Sequence, residues 1–379
     1  MKNFPKGLSA ELILFNHGST DGTKEFFESF HPDKQVDIAV NGGGIGVIYR
    51  IAEGKYTVII SNDIIITPHA INNLHTCIDS DEKIAWVVPS TPNIPNFQTI
   101  PAHYSNMEEL DAFAERNNVS NPRRWEQRAR LNNPIEIIRS SVLHQLKPGQ
   151  WYQPKNYFAF SDDRFSLLCR RNGYKIYLAK DAYCHHFGSA TVGESNTQDT
   201  FLQGRKEFFQ LFGIDPWSAG CCYSFALFQS LNCIKEGAVS ILGINCSMGS
   251  NCLKIKEELK EKVSNTSVVL KNITTEEAFF EDLKGISDEA EYVSDYHIIE
   301  TWKETFDYII AENILYYSES LHSDVELFVQ RCKENGIVVL ALTNLEAELI
   351  RQEQSFLNQY KKVNFVKESF AHVWMILYK

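Results

Sequence analysis

The sequence has no Cys-x-x-Cys pair, no internal repeat, no low-complexity tract and few cationic residues relative to anionic ones. Each shortage removes a class of protein. With 37 Lys and Arg against 48 Asp and Glu, the net charge is −11. That argues against a general nucleic-acid binder, because gripping a phosphate backbone needs a basic surface. Phosphorylated small molecules need only a local cation and stay open. The nine cysteines include one adjacent pair, Cys221 and Cys222. An odd number without metal-ligand spacing reads as reduced, buried thiols in a cytoplasmic protein. No charged-apolar-small leader opens the chain, so secretion is not expected. The most apolar stretch, "PWSAGCCYSFALFQSLNCI", contains Ser, Gln and Asn, and reads as a helix packing between domains, with no transmembrane segment.

What is present describes an ordinary globular chain. At 379 residues and 44% hydrophobic content, two domains with sizeable cores are expected. From 11 to 75 short apolar runs alternate with helical stretches. "ELILF", "QVDIAVN" and "YTVIISND" read as strands, and "TKEFFESF", "GVIYRIAEG" and "TPHAINNLHTCID" as helices, which suggests a mostly parallel sheet. "IAWVVPS" is a further strand, and the charged region "NMEELDAFAERNN" to "PRRWEQRARLNNP" reads as helical. The four arginines of "NPRRWEQRAR" could meet an anionic ligand, but a solvated helix with Glu126 as ion-pair partner is preferred. A fresh α/β succession starts at "GAVSILGINCSMGSNCLKIKEELKE". It continues through "TSVVLKNIT", "FDYIIAENILYY" and "NGIVVLALTN" to "KVNFVKESFAHVWMILYK". The expected boundaries are a domain over 1–217, a helical linker over 218–236 and a second domain over 237–379.

Three places could carry chemistry. Asp63 ends the run "YTVIISND", where a carboxylate has no packing reason to be and could hold a divalent cation or cap a turn. Asp162 and Asp163 open a helix in "FSDDRFSLLCRRNGYK", which suits either the helix dipole or a general base. "YCHHFGSAT" sets two histidines after a strand, where one could join a strand-end Asp at a metal.

In that order and spacing the motifs "FNHGSTDGTKEFF", "VNGGG…AEGKYTVIISNDIIITP", "FSDDRFSLLCRRNGYKIYLAKDAYCHHFGSAT" and "FFQLFGIDPW" resemble a family 2 glycosyltransferase of the GT-A fold over 11 to about 215. The resemblance implies that Asp63 and His186 bind Mn²⁺ or Mg²⁺, that Asp162 is the catalytic base with Asp163 as its rival, and that Asp21, Asn41, Asn62 and Asp63 line the nucleotide pocket. It implies an inverting, hexosyltransferase-type transfer from a nucleotide-sugar donor to a glycan or to a surface or flagellar protein. The family's first strand and helix lack a counterpart in "MKNFPKGLSA", so the donor pocket is expected to be incomplete. The alternative is a catalytically inactive glycosyltransferase-like subunit that acts as a binding or scaffold protein, with a second copy or a partner chain beside it.

"VSILGINCSMGSNCLKIKEEL" resembles the first motif of class I methyltransferases, which bind S-adenosylmethionine on a glycine-rich turn. Here Gly243 stands where an acid is expected, Asn245 and Ser247 where glycines are, and only Gly249 remains. "VVLKNITTEE" shows no clear acid at its strand end. The expectation is a smaller, degenerate Rossmann-like domain that does not bind the cofactor. The fold class read from the sequence is therefore α/β: a GT-A domain followed by a methyltransferase-type domain.

Overall fold

A computed structural model describes residues 3–5, 7–38, 50–147, 160–188, 198–218, 220–233, 235–314, 321–368 and 372–379. The chain divides into two compact units, Met1–Pro216 and Trp217–Lys379.

In the first unit, β1 (Ile13–Asn16) and β2 (Lys34–Asp37) pair in parallel with each other. The main sheet holds β3 (Tyr56–Ile60), β5 (Ile84–Ser90), β6 (Trp125–Gln127), β7 (Ile135–Arg139) and β8 (Lys175–Tyr183), in the order β3-β7-β5-β8-β6. β4 (Ile64–Ile65) pairs separately with β9 (His185–His186). The mostly parallel sheet expected here is not what forms. β7 returns after the long excursion from 91 to 134 and inserts antiparallel between β3 and β5, and β6 is antiparallel to β8. Among the described residues β5 and β8 are the only neighbouring strands of this sheet that pair in parallel.

The all-buried run of β5 is sandwiched on both faces. On one side Ala70, Leu74, Cys77 and Ile78 project from one stripe of the helix Ala70–Asp79, at the i, i+4, i+7, i+8 spacing of an apolar face, toward Ile84 and Val87. On the other side Phe165 and Cys169 of the helix Ser161–Arg171 meet Ala85, Trp86 and Val88. A register shift between Ile84 and Trp86 lets two consecutive residues, Ala85 and Trp86, serve the same side.

The arginine-rich segment is also different from its expected helix. After one short 3₁₀ turn it enters β6, where Glu126 and Arg128, two apart on an extended chain, pair at 2.6 Å while almost fully buried. Lys180 on β8 adds a second cation to Glu126 at 2.8 Å. The expected ion-pair partner is correct and the solvated helix is not. Likewise the stretch expected to form an interdomain helix contains only the short helix Phe225–Ser230.

The second unit is a seven-stranded sheet of β10 (Gly237–Ile244), β11 (Thr266–Thr274), β12 (Glu289–Tyr292), β13 (Phe306–Ala311), β14 (Cys332–Thr343), β15 (Lys362–Lys367) and β16 (His372–Tyr378). Its order is β12-β11-β10-β13-β14-β16-β15. The five strands from β12 to β14 are parallel, and β16 and β15 add an antiparallel edge. The period-2 rule is visible along β14 and β16. Val338, Leu340, Leu342, Val373, Met375 and Leu377 feed one core, and Val339, Ala341, Trp374 and Ile376 the other. The helix Ser250–Lys262 covers the second core through Cys252, Ile255 and Leu259. The helices Leu321–Arg331 and Asn344–Gln352 cover the first, the latter opened by a capping box between Thr343 and Glu346.

Because the chain runs outward from β10 to β12 and then returns to β13, the strand order reverses between β10 and β13. Crevices at such points, beyond the carboxyl ends of the strands, are where open α/β sheets take ligands.

Gly243, one residue before the end of β10, shows how tightly this region is filled. A Cβ there would lie 1.9 Å from Asn272 Oδ1 and 2.8 Å from Cys252 Sγ. Asn272 is its neighbour across the β10–β11 ladder, so the polar group expected at 243 is carried instead by the adjacent strand. Gly243→Ala is expected to destabilise the protein by about 2–3 kcal/mol through overpacking, read by urea unfolding. Adding Asn272→Ala should recover part of that loss. Equal stability of Gly243→Ala and the parent chain would contradict this packing.

Candidate functional site

The first unit gathers three carboxyl groups where β7 approaches the start of the helix Ser161–Arg171. Asp162 accepts hydrogen bonds from Asn132 Nδ2 (3.1 Å) and Ser161 Oγ (3.2 Å). Asp163 is paired with the Arg130 guanidinium at 2.8 Å. Burial raises the Asp162 pKa to about 6, helped by the Asp163 charge and opposed by Asn132, Ser161 and Arg130. Glu136, almost fully buried on β7, accepts from Asn133 Nδ2 at 2.8 Å, and its Oε2 has no partner. Burial raises its pKa to about 8, opposed by the Asn133 hydrogen bond and reinforced by Asp162. Two interacting carboxyls poised in this way can hold and release protons near neutral pH. Glu136 escaped the sequence reading. Its signal was an acid inside the apolar run "IEIIR".

Of the other residues singled out, Asp63 and His186 are brought together and Asp21 and Asn62 are not part of that pair. The β4–β9 bridge sets Asp63 beside His186, with Oδ2 and Nε2 3.1 Å apart, and His186 Nδ1 faces the Pro92 carbonyl at 3.3 Å. Each is the other's partner. Asp21 is exposed and accepts from Thr23 N and Oγ1, at the start of the helix Thr23–Glu28. Asn62 is exposed. Asn41 lies outside the described residues.

The second unit has its own convergence at the switch point. The turn from β10 into the helix Ser250–Lys262 holds Asn245 (φ 50), Ser247 (φ 48) and Gly249 (φ 69) in the left-handed region. These are the alternate positions at which a glycine-rich turn would carry glycines. The loss of two glycines has therefore not changed the backbone path, although a non-glycine residue in this conformation costs roughly 1–2 kcal/mol. Hydrogen bonds hold the turn in place. Asn245 Oδ1 accepts from Thr275 N at 2.8 Å, and Asn313 Nδ2 donates to Asn245 O at 2.9 Å and to Ser247 Oγ at 2.7 Å. Asn245 is fully buried, and its Nδ2 donor has no acceptor. Glu276 stands two residues beyond β11, so the acid missed at that strand end is present. Burial raises its pKa.

The start of the helix Ser250–Lys262 is not open. Ser250 N donates to Gly220 O at 3.1 Å, Ser250 Oγ to Cys221 O at 3.1 Å, and Ser224 N to Asn251 Oδ1 at 2.9 Å. The segment 220–224 thus straps the helix end, and the orphaned polar atom lies on the β11 side of the turn. Cys246 of the turn lies close to Cys252 and Glu312, all three buried.

No family model matches the sequence, and no curated protein matches it. Among solved structures the chain is similar to a precorrin-6y C5,15-methyltransferase from Geobacter metallireducens. The two are 12% identical over 38% of this chain and 81% of that one, with a TM-score of 0.29. A methyltransferase from Pyrococcus furiosus is 16% identical over 47% of this chain and 95% of that one, with a TM-score of 0.32. Human methyltransferase-like protein 13, solved with SAH, is 10% identical over 38% and 72%, with a TM-score of 0.30. At these values the likeness concerns fold, and no activity is carried over from them.

The comparison does correct the sequence expectations. The three structures named here carry methyltransferase names and none a glycosyltransferase name, so the comparison lends no support to the family 2 glycosyltransferase and its GT-A domain, or to the inactive-subunit alternative. The Mn²⁺ or Mg²⁺ ion, the nucleotide-sugar donor and the glycan or protein acceptor go with them. The expectation that S-adenosylmethionine is not bound finds no support here either, one of the similar structures having been solved with SAH, which is a property of that protein. Among the described residues no helix is long and apolar enough to cross a membrane.

Glu136 gives a pH prediction. Its folded pKa of about 8 exceeds the ordinary 4.5, so the folded state binds the proton more tightly than the unfolded state does. The resulting stabilisation is complete below pH 4.5 and is lost as pH rises through 8. Asp162 contributes likewise between 3.8 and about 6. Glu136→Gln should flatten the fall in stability over this window and gain about 2 kcal/mol or more at pH 8, measured by urea unfolding at several pH values. An unchanged slope would remove Glu136 from the account.

Proposed function

We propose that the unit Trp217–Lys379 binds S-adenosylmethionine at the β10–β13 switch point and that the protein is a methyltransferase. The observation that carries this reading is the turn at 245–249, with three left-handed residues and a buried amide donor that lacks an acceptor. Backbone strain of this kind persists where surrounding structure over-determines it, and it gathers at functional sites. A fully buried donor without a partner is costly unless a ligand oxygen satisfies it.

The residues present fit the group. Asn245 and the backbone of 245–249 would hold the cofactor's polar end. Thr275 and Glu276 follow β11, where an acid suits ribose hydroxyls. Asn313 fixes the turn from the β13 side through its two hydrogen bonds. When bound, the cofactor supplies an electrophilic methyl group for a nucleophilic acceptor. The chain's part is to bind it, orient it and keep water from its polar contacts, and the rigid turn suits that work.

The test is calorimetric titration of the full chain with S-adenosylhomocysteine. Saturable binding at one site per chain is expected. Ser247→Gly should bind within a few-fold of the parent, because glycine adopts the required conformation freely. Ser247→Val should weaken binding at least tenfold, because a β-branched side chain resists positive φ. No saturable heat with the parent chain would overturn the proposal.

A further inference from the structure

Cys246 sits inside the turn, Cys252 in the first turn of the helix Ser250–Lys262, and Glu312 directly after β13. Glu312 is sixty residues beyond Cys252 in sequence, yet one ligand atom from each of the three residues lies within 4.8 Å of the other two. Among the described residues this is the one cluster of three or more metal-capable side chains. A triangle with sides no longer than 4.8 Å has a centre within about 2.8 Å of every corner, against ~2.3 Å for a zinc–sulfur bond and ~2.0–2.2 Å for zinc to a carboxylate oxygen. Closing that gap takes shifts of a few tenths of an ångström.

Two buried thiols alone would be ordinary packing. The carboxyl group between strands is not. Glu312 is 2% exposed, its Oε2 accepts from Asn251 Nδ2 at 3.2 Å, and its Oε1 has no hydrogen-bond partner. The Cys246 thiol lies against the backbone carbonyls of Ile244 at 3.5 Å and Ile310 at 3.3 Å, and also interacts with Cys252 and Glu312. A carboxyl oxygen without a partner beside two sulfurs is an incomplete polar network, and an ion would complete it.

We infer that Cys246, Cys252 and Glu312 form a binding site for a thiophilic divalent cation of the zinc class, at the 245–249 turn. Two sulfurs and one oxygen are a donor set that zinc accepts with tetrahedral geometry and that Mg²⁺ and Ca²⁺ do not favour. On binding, each thiol gives up its proton to solvent and forms a metal–sulfur bond, and Glu312 binds as the carboxylate. No oxidation state changes. The ion would tie the turn, the helix start and the end of β13 together, in addition to the hydrogen bonds from Asn313 to the turn. This inference does not depend on cofactor binding, since its test uses no cofactor.

The experiment uses the full chain, stripped with chelator under reducing, oxygen-free conditions and titrated with Co²⁺ alone. One equivalent should produce a thiolate-to-cobalt charge-transfer band and the strong visible absorption of a tetrahedral site, and Zn²⁺ should bleach both. The Cys246→Ser/Cys252→Ser variant, with the other seven cysteines intact, should lose the bands. X-ray absorption of the zinc-loaded parent chain supplies a readout free of any folding defect in that variant. Two sulfurs at ~2.3 Å with lighter atoms completing the shell are expected. The absence of a charge-transfer band, its survival in the double variant, or an all-nitrogen and oxygen shell would each overturn the site.

Discussion

The second unit depends on one local constraint: the chain must leave β10 and enter the helix Ser250–Lys262 through a turn that is left-handed at residues 245, 247 and 249. Two of these are not glycine, so the conformation has to be imposed by what surrounds it. Thr275 and Asn313 impose it, one from the end of β11 and the other from the end of β13. Below, the packing is close enough that Gly243 can carry no side chain. The same constraint leaves Asn245 with an unanswered donor in a buried position, and the proposed function follows from that pair of facts.

Much of the second unit was legible as a sequence. Its apolar runs and their order identify the strands, since β13 and the later parts of β10 and β14 are buried on both faces and read as continuous hydrophobic segments. What was not legible was the state of the turn. Residue identity at 245 and 247 says that glycine is gone, and the inference that the cofactor was excluded rested on that identity. The backbone angle is set by long-range hydrogen bonds to 275 and 313, which no local pattern reveals. The acid at the end of β11 was missed for a related reason, because that strand runs on to Thr274 and carries its end close to Glu276. Cys246 and Cys252, with five residues between them, match no familiar metal spacing, and their third partner comes from β13.

The first unit was read with less success, and the causes are specific. Its alternating strands and helices suggested a parallel sheet, but pairing depends on where a later segment inserts. β7 arrives from beyond residue 134 and separates β3 from β5. The four arginines of 123–130 suggested a solvated helix because charge usually marks a surface. Extended backbone instead turns Glu126 and Arg128 to the same side, where they neutralise each other in a buried position. Asp63 and His186 were rightly read as lying near strand ends. The structure joins them to each other. The acid–base potential of this unit lies with Glu136 and Asp162, and only Asp162 stood out in the sequence.

The account's central claim is one of place: a ligand site at the strained turn between β10 and β13. It is tested most directly by amide NMR of the labelled full chain with and without S-adenosylhomocysteine. The account predicts perturbations centred on residues 245–249, 275–276 and 313, with those amides protected from exchange in the complex. Perturbations centred elsewhere, or none at saturating ligand, would contradict it.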